Sequence, residues 1–197
     1  MNVRWNAKRH DEVARAEPDD SAVGAGAQEP GMDRVLTALG RYAVKIDHVA
    51  VAVPDLDASI AFYKRLGFEL VERRRTAGTD TEMVSAVLRA GAIIMVLVQG
   101  TAPGSQVSRY IDNYGPGVQH IAIEVRDAEK LRRELCDAGV EFNTSLIQGR
   151  GIRQVFTARD RGSGMMYEFI ERESNDGDFT DESVRDLFEQ LERKGAY

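Results

Sequence analysis

The chain repeats itself. His48–Val53, read as HVAVAV, aligns without gaps on His120–Val125, read as HIAIEV, at an offset of 72 residues. In the same register Asp55 falls on Asp127, Gly67 on Gly139 and Glu69 on Glu141, and Ala92–Gln99 falls on Gly164–Glu171. A unit of about 50–55 residues that occurs twice is one supersecondary structure built twice, so the fold must pack two copies side by side.

Each copy predicts the same order of elements. The first is a strand with β-branched residues at alternate positions. Val49, Val51 and Val53 share one face and His48, Ala50 and Ala52 the other. In the second copy Ile121, Ile123 and Val125 oppose His120, Ala122 and Glu124. A helix follows, with Leu56, Ile60, Tyr63 and Leu66 as its apolar stripe in copy one. Copy two offers Asp127 as N-cap and Ala128, Leu131, Leu135 and Ala138 as the stripe. Gly67 and Gly139 are placed to end these helices at positive φ. Three strands complete each copy: Phe68–Arg73, Glu82–Arg89 and Ala92–Gln99, then Glu141–Ser145, Arg153–Ala158 and Met165–Glu171. The expected fold is α+β, with two tandem βαβββ modules at 44–100 and 116–172 that form one cup-shaped mixed sheet.

Residues 1–31 carry few large apolar side chains and are expected to be disordered, with 32–43 as a short helix or linker. The module pair spans 44–175, and 176–197 is expected to be a C-terminal helix with Val184, Leu187, Phe188 and Leu191 as its stripe. Lys and Arg number 26 against 32 Asp and Glu, a net charge of −6 that argues against a nucleic-acid partner. The longest apolar run, Ala90–Val98, is far short of the ~20 residues of a bilayer helix. The single cysteine, Cys136, allows no internal disulfide, fits a reducing cytoplasm, and is expected to be a buried small hydrophobe.

The chemistry-bearing residues converge. The inward face of each first strand carries a histidine, His48 and His120. Glu168 lies in the last strand on the face of Met166 and Ile170, where a buried carboxylate needs a partner. A lone histidine beside apolar residues is more often a hydrogen-bonded core residue; two at equivalent repeat positions, with a carboxylate, point to a metal. Two imidazoles and one carboxylate with open positions opposite form the facial triad of non-haem iron oxygenases. The copy-one equivalent of Glu168 is Val96, so the pseudo-symmetry supplies only one carboxylate and three protein ligands.

The paired units with His48, His120 and Glu168 resemble the vicinal oxygen chelate superfamily, over about residues 44–172. Within it, four stretches resemble the 4-hydroxyphenylpyruvate dioxygenase and hydroxymandelate synthase group: VSAVLRAGAIIMVLVQG, SQVSRYIDNYGPGVQHIAIEV, RQVFTARD and MMYEFIER. The segment DFTDESVRDLFEQLER resembles the helix that closes the site in that group. The resemblance implies that His48, His120 and Glu168 hold Fe(II), with Co(II), Mn(II) or another divalent metal as the alternative. It further implies that Gln154 and Phe179 bind substrate, and that O2 and a small 2-oxo acid are the reactants. Those enzymes usually carry two such domains, whereas this chain has one.

GPGVQHIAIEV also resembles methylmalonyl-CoA epimerase, which implies a metal-dependent epimerase or isomerase. That family adds a glutamine ligand in the last strand of copy one, where the nearest candidate is Gln99. A glyoxalase-type lyase generally has four protein ligands, and Val96 takes the place of one. Non-catalytic small-molecule binding is the third reading. Edge strands that need cover predict a homodimer.

Overall fold

The computed structural model describes residues 38–78, 81–173 and 181–193. Residues 1–31, most of the expected helix before the first module, and Phe179 lie outside the described residues. A helical turn at 38–42 leads into β1 (Ala43–Ala52), followed by α1 (Leu56–Arg65), β2 (Glu69–Ala77), β3 (Glu82–Ala90) and β4 (Ile93–Gly100). A connecting helix, α2 (Gln106–Tyr114), precedes β5 (Gly117–Val125), α3 (Ala128–Asp137), β6 (Ile147–Gly149), β7 (Ile152–Phe156) and β8 (Met166–Arg172). The last helix is α4 (Asp181–Arg193).

The eight strands form one curled mixed sheet in the order β2-β3-β4-β1-β5-β8-β7-β6. The repeat holds at the level of register. β1 runs parallel to β4 with Ala50 opposite Val96, and β5 parallel to β8 with Ala122 opposite Glu168, each pair 72 residues from its counterpart. The two first strands pair antiparallel at the centre.

Helix starts repeat too. Asp55 and Asp127 cap their helices by accepting from Ala58 N and Lys130 N, each at 2.9 Å. Gln99 Oε1 accepts from Leu56 N at 2.8 Å, and Glu171 Oε2 from Ala128 N at 2.9 Å. Each last strand therefore ties down the start of its own module's helix and satisfies donors that a helix N-terminus leaves open. Gly67 and Gly139 end the helices at φ +95° and +88°.

One core lies under each of these helices. Leu56 and Ile60 pack on Val53, Ala86, Leu88 and Leu97; Leu131 and Leu135 pack on Val125, Val155 and Phe169. The opposite, concave face is the cup. At one end of it α2 sets Val107 and Tyr110 against Ala52 and Val98. α4 contacts β2 and β6, the two edge strands, and so lies across the mouth, with Leu191 packed on Phe156 and Met166.

Three expectations are corrected. Glu141–Ser145 is not a strand. Only a single bridge, Phe142 to Thr157, forms there, and the ladder begins at β6. Thr144 Oγ1 takes the Phe156 N–H at 2.9 Å, a side-chain bond in place of a ladder bond. Leu66 is the C-cap of α1 and is 61% exposed, because the helix ends before that position turns inward. Cys136 is exposed, since Ala128, Leu131 and Leu135 take the buried side of α3.

Candidate metal centre

His48, His120 and Glu168 come from three adjacent strands, β1, β5 and β8, and meet at the floor of the cup. Glu168 Oε2 stands 3.4 Å from His48 Nε2 and 3.5 Å from His120 Nε2. The two Nε2 atoms are 3.4 Å apart. Ligand atoms that share one ion at bonds of ~2.1 Å stand roughly 3.0–3.4 Å from one another.

The hydrogen bonds fix what those atoms carry. Asp47 Oδ1 lies 2.9 Å from His48 Nδ1, and Gln119 Oε1 lies 2.6 Å from His120 Nδ1. A carboxylate or carboxamide oxygen only accepts, so each Nδ1 bears the hydrogen and each ring turns its Nε2 toward the centre of the site. Three potential ligand atoms converge there, and Glu168 Oε1 is buried without a hydrogen-bond partner. A divalent cation would take all three atoms and the unpartnered carboxylate at once, so the residues present fit a metal.

Electrostatics agree. Burial pushes the Glu168 carboxyl up to about 7, with His48 and Arg172 opposing and Asp47 adding. Burial, then the charges of His48 and Arg159, holds the His120 imidazole well below its ordinary value. Burial alone would raise Asp47, but hydrogen bonds from His48 and Arg172 outweigh it and hold the carboxyl well below the usual range.

The cup above the three residues encloses about 430 Å³. Its wall on the first module mixes aliphatic side chains, Met83, Val87, Ile94, Val96 and Val98 among them, with Glu72, Arg74, Ser85 and Arg89. Val96 stands on that wall at the place equivalent to Glu168. Gln99 faces the other way, engaged with Leu56 N, and is no ligand. Gln154 is 1% exposed, lines the cup, and has a buried Oε1 without a partner. The Phe156 ring meets His120 edge to face at 5.1 Å. Val184 and Leu187 of α4 supply the roof.

The sequence profile of the glyoxalase/bleomycin resistance protein/dioxygenase superfamily matches residues 45–169. The chain belongs to that superfamily. Hemolysin VllY of Vibrio vulnificus (strain CMCP6) is 26% identical across 75% of this chain and 52% of its own. Ethylmalonyl-CoA/methylmalonyl-CoA epimerase of Cereibacter sphaeroides is 31% identical across 48% of this chain and 71% of its own. A variant of 4-hydroxymandelate synthase from Streptomyces coelicolor shares the fold, with a TM-score of 0.69 at 24% identity over 79% of this chain and 55% of that one. Methylmalonyl-CoA epimerase from Mycobacterium tuberculosis superposes with a TM-score of 0.56 at 28% identity, over 66% and 89%. The chain thus spans about half the length of the hemolysin and of the synthase.

Of the expected site residues, the structure brings His48, His120, Glu168 and Gln154 into one cavity. Reading strict alternation along β1 and β5 passed over Asp47 and Gln119, which sends them to the outer face. The repeat itself carried a signal, since position 47 plus 72 is 119 and both residues bear an acceptor oxygen.

Proposed function

We propose that this protein is an Fe(II)-dependent oxygenase of a 2-oxo acid, with His48, His120 and Glu168 as the ligands of the metal. The observation that carries the reading is the three-membered ligand set. Val96 takes the place of a fourth ligand and Gln99 is turned away, which leaves one side free for substrate and O2. Iron bound there would supply Lewis acidity toward the carboxylate and keto oxygens of the substrate, and electrons to O2.

The chain's own residues do the rest. The buried Gln154 Oε1 accepts a hydrogen bond from a donor on the substrate and so orients it. Phe156 holds the His120 ring from its edge. Val96 and Val98 on the wall and the roof of Val184 and Leu187 keep water from the reacting atoms. The reaction releases CO2 and places one O2 atom in the new carboxylate and the other in a hydroxyl group.

Oxygen consumption by protein loaded anaerobically with Fe(II) tests this. The substrates are 4-hydroxyphenylpyruvate, phenylpyruvate and aliphatic 2-oxo acids in turn. Uptake with matching CO2 release is the expected result. The second reading, a metal-dependent epimerase, is favoured by the 31% identity to the epimerase of Cereibacter sphaeroides and opposed by the position of Gln99. A filled metal site without O2 uptake, but with exchange of the α-proton of methylmalonyl-CoA, would overturn the oxygenase. Failure to hold any divalent metal would leave a small-molecule binding protein.

A further inference from the structure

The β1–β5 ladder has three register shifts, one at Val44 and two that fall at equivalent places of the repeat. The β1–β5 ladder steps from Ile46 opposite Ile123 to His48 opposite Ala122, which skips Asp47. It steps again from Ala50 opposite His120 to Val51 opposite Val118, which skips Gln119. These are β-bulges at equivalent places of the repeat. A bulge breaks the alternation, so that two successive side chains reach the same side. Asp47 and His48 are therefore both buried, at 7% and 5% exposure, and Gln119 is buried at 5% beside His120.

The two acceptors are unequal. Arg172 clamps Asp47 with Nε to Oδ2 at 2.8 Å and Nη2 to Oδ1 at 2.9 Å, the two-pronged match of guanidinium to carboxylate. Asp47 offers His48 a full negative charge in a fixed orientation, and Gln119 offers His120 a neutral amide. A partner on the far nitrogen fixes the ring of a ligating histidine and raises its basicity, and a charged partner does so more strongly than a neutral one.

We propose that Asp47, Arg172 and Gln119 are positioning residues that make His48 and His120 unequal ligands, with His48 the stronger donor. The proposal rests on His48, His120 and Glu168 being the ligands. It adds that the bulges exist to bring in two different acceptors. The repeat makes the backbone symmetric, and the substitution of Gln119 for the aspartate at position 47 breaks the symmetry electronically.

The test is Co(II) binding, read by absorption and by competition with a chelator, with the fold checked by circular dichroism. Asp47→Asn keeps the shape and removes the charge. It is expected to weaken affinity about 10–100-fold and to shift the Co(II) ligand-field bands. Gln119→Glu is expected to tighten binding. In the Zn(II)-loaded protein, two-dimensional NMR should show the His48 Nδ1 proton downfield of that of His120, and Asp47→Asn should close the gap. Those spectra report ligand strength, which a purely structural residue leaves unmoved. If Asp47→Asn does not fold, Arg172→Gln tests the same clamp, with weaker Co(II) binding and an upfield move of the His48 proton expected. Affinity within twofold of the parent and unchanged bands would overturn the proposal, while loss of binding in His120→Ala would keep the ligand assignment. No Co(II) binding by the parent protein would overturn both.

Discussion

Glu168 brings a carboxylate into a site where it is 1% exposed, and this has a consequence for the metal-free protein. Its carboxyl titrates near the ordinary 4.5 when unfolded and at about 7 when folded. Between those values the native state holds a proton that the unfolded chain has lost, so stability falls as pH rises. The total loss is about 3 kcal/mol. In chelator-treated protein between about pH 5 and pH 8, the thermal stability of the parent relative to Glu168→Gln should show this decline, because the depressed His120 imidazole, which adds stability as pH rises, is common to both. Added Zn(II), which binds the ionised carboxylate, should restore stability at neutral pH. A parent protein whose profile matches that of Glu168→Gln would contradict the burial argument. At this scale the histidines were legible because the repeat aligned them, and Glu168 because it is a carboxylate set in an apolar strand. Asp47 and Gln119 were not, because a bulge is a property of strand pairing and leaves no mark in a single strand's pattern.

Helix boundaries were legible as local chemistry. Asp55 and Asp127 cap, and Gly67 and Gly139 stop, as their residue types suggest. Asp127→Ala should cost about 1 kcal/mol of stability, the usual value of a lost N-cap. Equilibrium urea unfolding measures it, and a change below a few tenths would mean that Glu171, which accepts from Ala128 N, carries the helix start alone. The elements read wrongly were those that tertiary partners decide. The segment from Glu141 to Ser145 has the composition of a short strand, yet Thr144 and the Phe142 bridge satisfy its backbone without a ladder. Between the modules, α2 begins at the cap Ser105, whose Oγ accepts from Ser108 N at 3.1 Å. It folds against the end of the cup, which a reading of the repeat alone left blank.

At the scale of the molecule the pseudo-twofold makes a forecast of its own. Position 96 stands to the two histidines as position 168 does, with the strand registers offset by 72. Val96→Glu should therefore place a second carboxylate at the site. Expected outcomes are tighter Co(II) binding by at least tenfold, since a further charged ligand is added, and loss of substrate-dependent O2 uptake. Unchanged affinity would show that the cup is less symmetric than its register. The sequence by itself determined the two units, the strand and helix order within each, and the three residues that meet at the centre. Those follow from periodicity, from a repeat that puts the two histidines in equal places, and from a carboxylate, Glu168, set among apolar residues. Only the tertiary structure decided that Gln99 turns to a helix, that Asp47 and Gln119 turn inward, and that α4 spans the two sheet edges. Each of these depends on which backbone groups and surfaces lie opposite after the sheet has closed, and no local pattern holds that information.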